Sequence, residues 1–470
     1  MKRTVLLIIV TLCLTLLCTM AAVGDTIVSG DYEYTLNEDG TAVIVKYHGD
    51  TAELEIPSEL DGYAVTVIGS SAFYNCRSLK TVTIPDGVTA IDRNAFNNCL
   101  NLVEAIIPDS VTDIGDGAFS NCSSITRISI PDSVVSIGER AFHYCRKLTR
   151  INIPKGVTCI SKNAFSWCSK LVSVTIPDSI VTIDDDAFAY CDRLMTVSIP
   201  ASVTRIGDNA FFKCGITSIV LGNNVSSIGA NPFGGCSSLS SIWVSPDHPY
   251  LSVIDGALYS KSDRRLVSYP CALASTTYEI PKGIRIIGKN AFYSCERLIS
   301  VTIPDSVTTI EDSAFSTCSS LKELALPDEI IRIDSNAFAY CSCLTSVRIP
   351  GALTCIEDDM FYGCESLTTV IIPDAVTDIG ARAFCDCSSL SDISLPNCVV
   401  NIGDRAFSGC VSLGSIALPD SVSSIGVYIF DHCSPSLIVV VSRNSYACQY
   451  CIDNNYNYSF GEPNLDWLND

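Results

Sequence analysis

Basic side chains are scarce in this sequence. Thirty Lys and Arg face 51 Asp and Glu, for a formal net charge of −21. That balance argues against nucleic acid, whose phosphates need cations to neutralise them, and against attachment to anionic membrane surfaces. Only 17% of residues are charged and 47% are apolar, so core material is ample and nothing suggests disorder. Histidine is rarer still. His48, His143, His248 and His432 lie far apart, and no G-x-S-x-G elbow accompanies them. They read as solvated surface residues, not as part of a Ser–His–Asp site. Long apolar runs are missing too, apart from residues 5–18, which are short for a membrane span.

What is abundant is a 23-residue unit, C-x-x-L-x-x-[IV]-x-I-P-x-x-V-x-x-I-x-x-x-A-F-x-x. Numbered from its cysteine, one copy carries Cys168, Leu171, Val174, Ile176, Pro177, Ile180, Ile183, Ala187 and Phe188. A strict period of this length means a solenoid, because no coil can bury its apolar residues alone. Positions 4, 7 and 9 alternate about outward residues and read as a short strand. Proline at position 10 ends it, having no N–H for a ladder. Positions 13 and 16 point inward again, Gly or Asp at 17 turns the chain, and Ala-Phe at 20 and 21 fills the opposite wall from a short helical turn.

The amino terminus reads as a secretory signal: Lys2 and Arg3, the apolar run, then Ala21, Ala22 and Gly24. The mature chain is expected outside the cytoplasm, not inserted in the membrane. Twenty-five cysteines in an exported chain suggest disulfides. Fifteen of them, however, fall at position 1 of the repeat, from Cys76 to Cys433. A residue recurring once per coil stacks into a ladder, where free Cys behaves as a small buried apolar residue. Reduced, buried thiols are the reading preferred here, with disulfides between rungs as the alternative. The recurring Pro-Asp step, as at Asp132 and Asp178, reads as a solvated turn, with a cation-binding edge as the alternative.

The chain divides into a signal segment (1–24), an amino-terminal β cap (25–56), a first array (57–239), a degenerate insertion (240–280), a second array (281–436), and a carboxy-terminal cap and acidic tail (437–470). The cap reads as a hairpin of residues 32–36 and 41–47 joined by an Asp-Gly turn. The insertion reads as further short strands in degenerate coils. Residues 445–454 read as a helix, with Ser445 as N-cap and Asn454 near its end.

The blocks Ile130-Pro131-Asp132-Ser133-Val134, Ile137-Gly138, Ala141-Phe142 and Cys145 closely resemble the BspA-like (Treponema pallidum-type) leucine-rich repeats. The resemblance runs from about Tyr32 to Phe460 and includes the closing stretch Ser445-Tyr446-Ala447-Cys448-Gln449-Tyr450-Cys451. It implies a leucine-rich repeat solenoid, a right-handed arc with short parallel strands on the concave face and turns and short helical turns opposite. It also implies a secreted or cell-surface protein that adheres to host or neighbouring-cell proteins. The resemblance carries no catalytic motif, cofactor or metal site. No surface anchor is recognisable in this sequence.

Outward strand positions are where a solenoid binds. Position 8 is a Ser/Thr-rich row, and departures from it mark candidate ligand-binding residues. Arg127 and Arg150 sit side by side at position 6 of adjacent coils, with Asn152 and Thr175 beside them. Arg348 breaks the row in the second array, and Trp243 stands where small polar residues recur, beside the insertion. An exposed Trp suits a protein hot spot or a sugar platform, and Tyr250, Tyr259 and Tyr269 lie near it in sequence. The expected partners are extracellular or cell-surface proteins, with glycans as an alternative and a passive envelope spacer as the competing role. The Cys448-x-x-Cys451 pair reads as helix packing. The acidic runs at 184–186 and 357–359 lack the alternating spacing of a calcium loop.

Overall fold

The computed structural model describes residues 25–461; the expected signal segment and acidic tail lie outside them. The chain winds into a parallel-strand solenoid with almost no helix. Two strand ladders run through it. The first lies at positions 6 to 8, as in Glu53–Glu55, Thr81–Thr83 and Glu104–Ile106, paired in parallel register. The second lies at positions 15 and 16, as in Ala90–Ile91, Asp113–Ile114 and Ser136–Ile137. Sequence periodicity identifies the first ladder and places the second only as inward-pointing residues.

The wall at positions 19 to 23 corrects the expected helical turn. Its N–H groups alternate in direction. The Ala95 N–H donates to the Asp92 carbonyl three residues back, and the Phe96 N–H donates to Ala118 of the next coil. This alternation puts positions 19 and 23 in the left-handed region, for example Asn94 (φ 56°) and Asn98 (φ 65°). Asn tolerates that conformation better than most residues. Inside the wall, Phe73, Phe96, Phe119, Phe142, Phe165, Phe188, Phe211 and Phe233 stack with ring centroids 4.9–5.9 Å apart. A second stack runs from Phe292 to Phe430.

Beside the phenylalanines, thirteen ladder thiols donate to a position-21 carbonyl 25 or 26 residues back at 3.1–3.3 Å. Each thiol therefore satisfies a buried acceptor as well as filling space. Among the described residues the one disulfide joins Cys295 to Cys271 of the insertion.

Glycine at position 17 has a specific cause. A Cβ on Gly207 would lie 2.5 Å from the Asp185 amide nitrogen and 2.5 Å from its carboxylate, and Gly138, Gly229, Gly380 and Gly426 meet the same obstruction. The obstructing position-18 Asp accepts the N–H that follows this glycine, as Asp185 does from Asp208 at 2.9 Å. Asp in one coil and Gly in the next thus form a coupled pair. The Ser of Pro-Asp-Ser likewise reaches back one coil, as Ser133 does to the Val111 carbonyl at 2.7 Å.

The insertion departs from the expected degenerate coils. Leu251–Ile254, Ala257–Ser260 and Arg265–Ser268 form an antiparallel meander, whose last strand rejoins the second ladder at Ile286–Ile287. His248 is fully buried, not solvated. Its Nδ1 accepts the Tyr250 and Leu251 N–H groups, and its Nε2 lies 3.0 Å from the Gly222 carbonyl, where it donates. It ties the meander to the first array. At the far end, the helix Tyr446–Asp453 has Ser445 as its N-cap, accepting the Cys448 N–H, and Cys448 and Cys451 are buried beneath it.

Candidate functional site

The strand face is where the coils are least closed. Arg127, Ile128 and Ser129 do not join the ladder, so Glu104–Ile106 on one side and Arg150–Asn152 on the other are left unlinked there. The N–H groups of residues 127–130 have no partner among the described residues. Residues 196–199 interrupt the ladder in the same way.

At the first interruption lies a groove of about 930 Å³, lined by residues 104–107, 127–132 and 150–152. It gathers Arg127, Arg150 and Asn152, and Thr175 pairs directly with Asn152 in the next strand. All four side chains are exposed. Neither arginine has an ion-pair partner among the described residues. Ile106, also on the lining, is half exposed.

Trp243 lies further along the same face, 55% exposed, so the insertion does not cover it. It pairs with Val220, itself half exposed, making an apolar step at the end of the first array. Tyr259 and Tyr269 are core residues, and the Tyr259 hydroxyl lies 2.6 Å from that of Tyr278. They are closed to a sugar. Arg348 is not brought to this site: it sits in the second array, and its guanidinium meets the exposed Asp328 carboxylate at 2.7 Å.

A second groove, of about 790 Å³, opens where the arrays meet and is lined by Asp192, Lys213, Tyr293, Glu296 and Glu365, among others. Its cation is engaged, since the Lys213 ammonium lies 5.4–5.7 Å from the Tyr190, Phe212 and Tyr293 rings. The acidic runs are engaged too. Asp184 and Asp185 meet Arg205, and Asp359 takes Arg382 through both oxygens at 2.6 Å. Among the described residues, no three His, Cys, Asp or Glu side chains are grouped to hold a metal ion.

Single-residue reading missed that Arg127 and Arg150 belong to a larger basic segment. Residues 127–170 carry eight Lys and Arg against two acidic residues. A windowed charge count would have found it. Within it, burial and then Arg140 hold His143 down to about 4, against a hydrogen bond with the Ser166 backbone that acts the other way.

The family model described as the BspA type leucine rich repeat region (6 copies) matches residues 47–172, 158–274, 268–391 and 377–460. Curated proteins gave no match. Among solved structures, a leucine rich cell surface protein of Faecalibacterium prausnitzii A2-165 is 32% identical, covering 86% of this chain and 94% of that one, with a TM-score of 0.58. A leucine-rich repeat protein from Eubacterium ventriosum shares the fold at 24% identity, covering 87% and 96%, with a TM-score of 0.51. No helix among the described residues is long and apolar enough to cross a membrane. A family match spanning nearly all the coils, and a relative alike over most of both chains, agree with the two strand ladders: the chain belongs to the BspA-type leucine-rich repeat family.

Proposed function

We propose that this chain is a secreted or cell-surface protein that binds proteins of a host or neighbouring cell through the strand face of its first array. The observation that carries the reading is the groove at residues 127–129, where an interrupted ladder leaves backbone donors and two unpaired arginines open together. Trp243 and Val220 add an exposed apolar step on the same face, of the kind that anchors protein interfaces. The cell-surface description of the Faecalibacterium relative supports the location. A sugar-binding role is less well supported, because two of the three nearby tyrosines are buried.

The test is retention of purified extracellular-matrix and bacterial surface proteins by the immobilised full chain. The R127A/R150A double variant and Trp243→Ala serve as comparisons. The expected result is at least one retained protein, bound roughly tenfold more weakly by one variant or both. A wild-type chain that retains none of the panel would favour a passive spacer and sink the reading. Variants that bind as wild type would remove this face from it.

A further inference from the structure

The charge along the first array is sharply blocked. Residues 104–126 carry four acidic side chains and no basic one, residues 127–170 carry eight basic against two acidic, and residues 171–192 carry five acidic and no basic one. None of those eight cations has a carboxylate within ion-pair distance among the described residues. On the strand side, Arg127, Lys147, Arg150 and Lys170 are all exposed, in three successive coils. With coils about 4.8 Å apart, this island spans about 10 Å along the solenoid. Elsewhere in the molecule arginines do find partners, as Arg205, Arg332 and Arg382 show. What sets the island apart is the charge block itself, eight cations to two carboxylates over 44 residues in a chain of net charge −21.

We propose that this island recognises a short acidic segment of a protein partner, its carboxylates on the Arg127 and Arg150 guanidinium groups; this rests on the strand-face reading above. Three features select that partner. A guanidinium presents a planar fork that matches a carboxylate through two hydrogen bonds. The groove is not purely cationic: Ile106 gives it an exposed apolar wall, and Glu104 and Asp132 line it as well. A peptide with mixed side chains satisfies such a lining better than a uniform polyanion. The island is also bounded on both sides by purely acidic coils. A sulfated polysaccharide longer than about 10 Å runs into them and is repelled, whereas a few carboxylates fit between.

Fluorescence anisotropy on the full chain tests this with a labelled octapeptide of four glutamates and two leucines, its glutamine counterpart, and a heparin hexasaccharide. The Glu peptide is expected to bind the wild type and to lose roughly tenfold or more in R127E/R150E, a charge change at exposed sites. Lys322→Glu, an exposed cation in the second array, is expected to shift affinity less than about twofold. Equal binding of the Gln peptide, no measurable binding of the Glu peptide, or an unchanged R127E/R150E affinity overturns the proposal. Tighter binding of heparin than of the Glu peptide also overturns it and assigns the island to a polyanion. A protein retained on the panel through Trp243 while the Glu peptide fails leaves the strand-face function standing without the acidic partner.

Discussion

Each coil presents two regions built from the same 23 residues, and they are closed to different degrees. In the wall at positions 19 to 23, every phenylalanine from Phe73 to Phe211 donates its N–H to the next coil at 2.7–2.9 Å, and the rings stack beneath. On the strand face, the ladder lapses at residues 127–129 and again at 196–198. The inward positions of the wall leave little freedom to the side chain: position 21 is Phe in every regular coil, position 20 mostly Ala, and the Cys at position 1 packs beside them. The strand face imposes only β propensity on its outward positions, so Arg127, Asn152 and Trp243 can vary there without cost to the stack. Stability is thereby concentrated on one side of the repeat, and freedom to vary on the other.

That contrast can be broken most forcefully through the thiols. Burial holds Cys168 and Cys341 up to about 12, against an ordinary value of 9.0. The folded state keeps its proton where the unfolded state loses it. The stabilisation is therefore complete below pH 9 and drains as pH climbs from 9 toward 12. Because the thiol recurs in coil after coil, thermal melts under reducing conditions should fall by roughly 10 °C or more between pH 8 and pH 11. A melting temperature flat across that range would mean that the ladder does not contribute as drawn. A single deletion in the wall comes next. Phe165→Ala removes a fully buried ring stacked on both sides and should cost about 3–5 kcal/mol in denaturant unfolding. The smallest effect belongs to the strand face, where Trp243→Ala should change stability by less than about 0.5 kcal/mol. A cost near that of the phenylalanine would erase the distinction.

Much of this was legible beforehand, for reasons particular residues make plain. A period of 23 fixes which side chains must stack, so the Phe and Cys ladders follow from spacing alone, and the cap at Ser445 follows from local helix-start chemistry. Periodicity does not say what an outward residue meets. The Asp185–Gly207 pairing spans two coils and needs the backbone approach to be known. Burial of His248, Tyr259 and Tyr269 was missed because the insertion has no repeat to index them, and its antiparallel meander obeys different pairing. The site residues divided similarly. Arg127 and Arg150 stood out as departures from a row, but the lapse in the ladder that opens a groove between them leaves no mark in the unit. Arg348 looked equivalent in sequence and is occupied by Asp328.

Hydrogen exchange on the free chain, resolved to individual coils, reads the central contrast most directly. The wall amides of Phe142, Phe165 and Phe188 should exchange at least ~100-fold more slowly than those of residues 127–130 and 196–199. Equal protection on the two sides would contradict the account, since the strand face would then be as closed as the wall and the groove at Arg127 and Arg150 would have no open backbone to offer.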